Sequence, residues 1–528
     1  MSVFKGLKLK GARKVVRTLL LIVIPLSFSF ASQAQEIVEL KLPNSNKVAI
    51  KLMFKNGSMS DPAGLEGITQ ATASLVVQGG SRELSYSDIQ DRIFPMAARY
   101  GVSSDKEVTT FSFEVHQDHL DEFYPILKGL ILTPRFAEED FNRVMVSQQN
   151  YVDQTIRASS DEEYSKKALE DLLFRDTNYQ HMKQGSSASV NNISLQEVQS
   201  HYQSMFTKNN LIIGIAGNYS DGFLQQLKQD LAQLPDTAPT VPAAGAARMP
   251  NGIEVEIVAK EGAFGSVIFT GFPLKLTRAD DEFAALMVAN SYLGEHRKDY
   301  SRLYQKIREA RSMNYGDYSY IEWYEGGGGN MLPPSGVPRS SNYFSMWVRP
   351  VQIATQLQQQ YPELAGLKIG HAHFALRMIV KELEVLVEQG LSEEDFEATR
   401  DFLLSYTKLY AQTPASRLGY LMDSRFYGRD DYLLELDQLL KNLTLEQVNA
   451  AIRKYWQVEN MFVTIITDVS EAQPLADSLV NNLSSPMSYS NVMLQGLSDE
   501  IKQEDLLVAD YPLNITAVTI VDSADTFK

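Results

Sequence analysis

Seven histidines and no cysteine bound the metal and nucleophile chemistry open to this chain. Without a thiol it has no disulfide, no thiolate metal site, no Cys nucleophile and no lipidated N-terminal Cys. The histidines are His116, His119, His181, His201, His296, His371 and His373. His116 and His119 form HQDH directly after the strand-like run Thr110–Val115, which looks like a metal pair. A polar turn from strand to helix is the plainer reading. His371 and His373 are two apart on a predicted helix and so point to different faces. His296 follows a helix predicted to end near Leu293. Surface placement is its plain reading, and a place lining the interior is the alternative.

The elements that must position any site repeat along the chain. Asn192–Ser220 and Asn442–Ser470 align without a gap at an offset of 250, sharing Asn192/Asn442, Leu195/Leu445, Val198/Val448, Asn210/Asn460, Ile215/Ile465 and Ser220/Ser470. Each copy opens on a helix N-cap, Ser194 or Thr444, and runs through a helix and a polar turn into an apolar strand. Upstream, Glu138-Glu139-Asp140-Phe141 recurs as Glu393-Glu394-Asp395-Phe396, again opening a helix. Two echoes in the same order point to duplicated domains.

Each half begins with strands: 48–54 and 110–115 in the first, 254–258 and 266–271 in the second. Predicted helices near 65–77, 120–132 and 280–293 separate them. The expected fold is therefore α/β, of the α+β sandwich type: two homologous repeats, each a mostly antiparallel sheet covered by helices. We place the first repeat at 35–234 and the second at 251–471. The Pro- and Ala-rich stretch 235–250 reads as the linker. An extension, 472–528, contains the strand-like run 513–521 and should dock on the body. The Gly/Pro-rich segment Glu325–Arg339 reads as a mobile surface insertion, with a substrate-contacting flap as the alternative.

Composition narrows the setting. The chain has 528 residues, 44% of them hydrophobic, enough for two or more ordinary domains. Residues 1–17 carry Lys5, Lys8, Lys10, Arg13, Lys14 and Arg17 and no acid. An apolar run from Leu19 to about Ala31 follows, then Ser32-Gln33-Ala34. This is the layout of a secretory signal peptide, residues 1–34, cleaved after about Ala34. The apolar run is too short to span a bilayer and Pro25 interrupts it, so no stable membrane anchor should remain after cleavage. Loss of these six cations takes the formal charge from −16 to −22. Such a surface repels phosphate backbones, which argues against nucleic-acid binding. Export without cysteine suggests a bacterial periplasmic protein.

The segment LKLPNSNKVAIKLMFKNGSMSDPAGLEGITQATASLVVQGGS, Leu40–Ser81, resembles the opening of the pitrilysin, insulinase and mitochondrial processing peptidase family. LGEHRKDYSRLYQKIREARSMNYGDYSY in the second half is similar to that family's Arg/Tyr segment. In the family, an inverted motif His-x-x-Glu-His puts two imidazoles on one helix face to bind Zn²⁺, and its Glu acts as general base on a bound water. Aligned on Gly67-Ile68, the ligand positions hold Gln70 and Ser74 and the base position holds Ala73. The third ligand, an acid, would come from Val144–Tyr151. Gln148 is the best match, with Gln149 and Asn150 as alternatives, and that stretch contains no acid. The resemblance therefore implies a degenerate member that binds no metal and catalyses nothing alone.

Arg308 and Tyr315, seven residues apart, match the Arg/Tyr pair that the family's opposite half offers to substrate. The Arg fork would hold peptide carbonyls or a terminal carboxylate, and the Tyr hydroxyl would donate to an oxyanion. Asn314, Asp317 and Tyr320 are further candidates to face substrate. Trp347 and Arg349 read as packing and edge residues. The function implied is a non-catalytic subunit pairing with a homologous zinc-bearing subunit around a peptide or unfolded protein. The alternatives are a peptide-binding or scaffold protein with no proteolytic role and, more weakly, a zinc enzyme with a relocated site.

Overall fold

The computed structural model describes residues 36–295, 298–324 and 333–528. The signal-peptide reading, His296 and most of the Gly-rich run of Glu325–Arg339 lie outside the described residues.

Two sheets carry the chain. The first repeat contributes β1 (Glu36–Lys41), β2 (Lys47–Phe54), β3 (Arg99–Ser104), β4 (Thr109–His116) and β5 (Leu211–Gly217), in the spatial order β1-β5-β2-β4-β3. The second contributes β6 (Ile253–Lys260), β7 (Ser266–Pro273), β8 (Asp317–Tyr320), β9 (Tyr343–Val351) and β10 (Met461–Asp468), with β11 (Ile515–Asp522) from the tail. Its order is β11-β6-β10-β7-β9-β8. Strand for strand the two orders are the same, with β11 added in parallel on β6. In each repeat the first strand pairs in parallel with the last, and the other pairings are antiparallel. The duplication read from the sequence is thus a duplication of topology. Its helix starts also hold: Ser194 and Thr444 each accept from the backbone N–H three residues on, and Glu197 and Gln447 reach back to close a capping box.

Strand β2 is buried on both faces, so its run is nearly continuous in apolar residues. Val48, Ile50, Leu52 and Phe54 pack toward α1 (Ile68–Gln78) and α3 (Leu120–Leu132). Between α1 and α3 lies α2 (Tyr86–Ile93). After α3 come α4 (Glu138–Asn150) and α5 (Asp161–Phe174).

The outer helices stay with their own repeat, but one helix from each is exchanged. Helix α5 of the first repeat lies on β7 and β10 of the second, placing Leu169, Leu172 and Phe174 among Val267, Phe269 and Phe462. Reciprocally, Pro414–Phe426 of the second repeat covers β2 and β5 of the first, packing Leu418 and Met422 on Ala49, Met53 and Ile212. Each such side chain contributes about 1.5–3 kcal/mol on burial, so neither sheet is complete without its neighbour.

A buried ionic cluster joins the repeats. Arg339 bonds Asp105 through Nε (2.5 Å) and Nη2 (2.9 Å), and Glu170 through Nη1 (2.9 Å). Burial alone would raise both carboxyls, but the cations around them hold Asp105 low and Glu170 well below the carboxylate range. This corrects the expected surface insertion for residues 333–339 alone. Its described end is interior: Val337 and Arg339 are buried, and Gly336 N–H donates to Asp423 of the exchanged helix (2.9 Å). The ion pairs overrule the Gly/Pro composition.

Candidate functional site

Helix α1 carries the positions where zinc chemistry would sit. It starts after Gly67, whose φ of +99° suits glycine; a Cβ there would stand 2.4 Å from the Gln184 carbonyl oxygen. The helix start is satisfied by Asp61, whose side chain is buried and accepts from Gly67 N–H (2.7 Å), Thr69 N–H (3.1 Å) and Thr69 Oγ1 (2.5 Å). His201 Nε2 lies 2.9 Å from the same hydroxyl, and His181 Nε2 lies 3.6 Å from Asp61 and 2.9 Å from the Ser58 carbonyl oxygen. Burial pushes the His201 ring down against the pull of Asp61. This Asp–Thr–His network escaped the sequence reading because its members are far apart along the chain. An S/T/D/N search for helix caps would have missed Asp61 too, since it lies outside the helix it caps.

Gln70, Ala73 and Ser74 lie on that helix, with Ala73 in the core and the other two bordering a cleft of about 460 Å³. Gln70 Nε2 donates to Ser74 Oγ at 2.9 Å, so these two side chains engage each other one helical turn apart. Gln148, on α4, spends its amide on backbone: Nε2 donates to Gly67 O (3.0 Å) and Gln184 O (2.8 Å). Gln149 donates to Asp153 (2.6 Å). Two carboxamides, a hydroxyl and a methyl supply no imidazole or carboxylate, so this donor set does not fit zinc. Among the described residues, no group of three or more His, Cys, Asp or Glu side chains could hold a metal. The other wall of the cleft is β3, which among the described residues is the last strand of its sheet and pairs with β4 alone.

His116 and His119 flank the turn Gln117–His119 that leads into α3. They engage Asp118 (3.4 Å) and Glu122 (3.5 Å), and their ring centres are 6.5 Å apart. His371 and His373 are buried and diverge, His371 to the Ser488 carbonyl oxygen (3.1 Å) and His373 to Ser478 Oγ (2.9 Å).

The second repeat brings Arg308 and Tyr315 together. A π-helical turn, Tyr304–Glu309, carries Arg308. Its guanidinium lies 5.3 Å from the Tyr315 ring centre and 5.3 Å from that of Tyr304, and Nη1 donates to Tyr304 OH and Glu309 Oε1, both at 3.1 Å. Arg349 approaches the Tyr315 ring at 5.8 Å and donates through Nε to Glu162 on α5 (2.8 Å). Tyr315 therefore lies between two cations and is 52% exposed. The reading of Arg349 as an edge residue missed this: β9 and the exchanged helix bring it there, and no sequence spacing could.

Two further candidates are corrected. Asp317 and Tyr320 are buried, not turned outward. Tyr320 stacks on Tyr324 in an aromatic group with Tyr318 and Trp347, which is the packing expected of Trp347. Asp317 accepts from Asn314 Nδ2 (2.7 Å), which also donates to Arg349 O (3.2 Å). Burial raises the Asp317 carboxyl to about 8, with Asn314 and Arg349 opposing. Asn314 and Asp317 thus shape the turn that presents Tyr315.

Comparison with known proteins bears on both halves. The family described as insulinase, peptidase family M16, matches residues 36–188, and the peptidase M16 inactive domain matches 192–403. A non-peptidase homolog, YmxG, of Helicobacter pylori is 23% identical over 473 residues, covering 86% of this chain and 99% of its own. An uncharacterized zinc protease YmxG of Bacillus subtilis is 23% identical over 420 residues, covering 78% and 91%. Among solved structures, a peptidase M16 inactive domain from Pseudomonas fluorescens superposes with a TM-score of 0.70 at 16% identity, covering 83% of this chain and 96% of that one. A protease from Helicobacter pylori gives 0.68 at 13%, covering 83% and 97%.

Proposed function

Because the chain belongs to the M16 family of insulinase-like peptidases as a degenerate member, we propose that it is the non-catalytic subunit of an exported peptidase. Its partner is a homologous zinc-bearing chain, and the two enclose a peptide or unfolded protein. The partner supplies Zn²⁺, the water it activates and the general base. This chain supplies Arg308, whose fork holds peptide carbonyls or a terminal carboxylate, and Tyr315, whose hydroxyl donates to the oxyanion. The leader at 1–34 supports a periplasmic location, and Zn²⁺ is bound by the partner and not by this chain.

One observation supports the reading: within a single duplicated fold, Gln70 and Ser74 bond each other, while Arg308 lies against the ring of Tyr315, which is half exposed. Mixing the chain with its zinc-bearing homologue should restore peptide hydrolysis. Arg308→Ala should then lower kcat/KM by about 10–100-fold, the size of a lost charge-assisted hydrogen bond. An unchanged kcat/KM would remove Arg308 from the mechanism. Peptide affinity with no partner-dependent hydrolysis would favour a peptide-binding scaffold instead.

A further inference from the structure

Lys51 is a buried cation for which the fold provides no counter-ion. It lies in the middle of β2, on the face where Ala49 and Met53 pack under the exchanged helix Pro414–Phe426. It is 8% exposed, and among the described residues its ammonium makes no hydrogen bond and no ion pair. An unpaired buried charge is among the costliest features a core can hold, so its presence asks for a partner. The two carboxylates that attract it through space are engaged elsewhere. Asp423 is held by Arg278 (3.3 Å) and Gly336 N–H (2.9 Å), and Glu114 by Lys47 (2.8 Å) and Arg99 (2.7 Å). The exchanged helix makes room for the ammonium at Gly419, where a Cβ would stand 3.2 Å from Lys51 Nζ.

Lys51 borders a cavity of about 260 Å³, with Ala49, Gly101 and Ala415 as small walls and Ser112, Arg99 and Glu114 as further polar groups, Glu114 being paired with Arg99 and Lys47. Arg99, Tyr100 and Gly101 line both this cavity and the Gln70–Ser74 cleft, so the two hollows lie on either side of β3. We propose that this cavity binds a single carboxylate, paired with the Lys51 ammonium, with its carbon chain against Ala49, Gly101 and Ala415. One uncompensated cation flanked by Glu114 and Asp423 suits a monoanion and disfavours a phosphate dianion.

Resting on the peptide-handling reading above, the carboxylate is an Asp or Glu side chain of a bound substrate peptide. A free short-chain acid offers the same chemistry, and the test separates the two.

The full chain is titrated, by fluorescence anisotropy and calorimetry, with a labelled ten-residue peptide containing one central Glu, with the same peptide carrying Gln there, and with butyrate. We expect the Glu peptide to bind about ten-fold or more tightly than the Gln peptide, and butyrate to compete with it. Lys51→Met, which replaces the buried charge by an apolar chain of similar length, should reduce the preference to less than two-fold. Ala415→Leu, which fills the cavity and keeps the lysine, should do the same. An unshifted or raised Tm identifies folded variants. Equal affinity for both peptides and no response to butyrate overturns the carboxylate site and leaves peptide handling standing. Butyrate binding that is lost in Lys51→Met, with neither peptide bound, sustains the site and overturns its link to peptides. No binding of any probe overturns both.

Discussion

The α1 cleft of the first repeat and the Arg308–Tyr315 cluster of the second are built on corresponding parts of one duplicated topology, yet they have opposite character. In the cleft, polar groups are turned on one another or on backbone: Gln70 on Ser74, Gln148 on Gly67 and Gln184, Asp61 on the helix start. In the cluster, buried groups such as Asn314 and Asp317 shape a turn whose tip, Tyr315, stays accessible between Arg308 and Arg349. The amide donors of Gln70 and Gln148 are engaged at one end of the scaffold, and Tyr315 is half exposed at the other. A hydrogen-bond donor aimed at backbone stabilises the fold, whereas an accessible one can act on a substrate.

The sharpest way to break the comparison is to place an acid at Gln148, the residue that the resemblance best matches to the family's third ligand. Gln148→Glu replaces a donor to two carbonyl oxygens by a buried carboxylate that faces them. Stability should fall by about 2–3 kcal/mol, measured by urea denaturation, with no gain in bound zinc by metal analysis. A variant as stable as the native chain would mean that the Gln148 amide is incidental and the site merely eroded.

The turn beneath Tyr315 offers the next test. Burial raises the Asp317 carboxyl above its unfolded value, so the folded chain holds this proton where the unfolded chain has released it. The group's contribution is therefore most favourable below the unfolded carboxylate pKa of about 4 and is progressively lost as pH rises toward the folded value of about 8. Asp317→Asn keeps the shape without the titration. Its stability relative to the native chain should improve by about 3 kcal/mol between pH 5 and pH 7.5, read from paired urea midpoints. A difference independent of pH would show that Asp317 is ionised in the fold.

The smallest effect is expected at Arg349. Its pairing with Glu162 is partly exposed, so Arg349→Ala should cost no more than about 1 kcal/mol in Tm-derived stability. In the mixture with a zinc-bearing homologue it should still lower kcat/KM, because Tyr315 loses one of its two flanking cations. A loss of stability without a loss of activity would place Arg349 with the packing residues.

Much of this was legible without coordinates. The gapless echo of 192–220 in 442–470 foretold the duplicated topology because capping and hydrophobic periodicity are local properties. The nearness of Arg308 to Tyr315 and of Gln70 to Ser74 was legible because one short segment or one helix carries each pair. The Asp61–Thr69–His201 network, the place of Arg349 beside Tyr315 and the buried end of the Gly-rich segment were not. Each depends on which distant element packs there, and above all on the exchange of α5 and Pro414–Phe426 between the sheets. Lys51 marks the boundary: its position in an apolar strand is written in the sequence, but its lack of a partner is a property of three-dimensional neighbours. The linear chain determined the repeat, the caps and the chemistry absent from α1. Only the tertiary structure decided which polar groups were satisfied and which were left facing a cavity, because satisfaction depends on distance and burial and these are set by long-range packing.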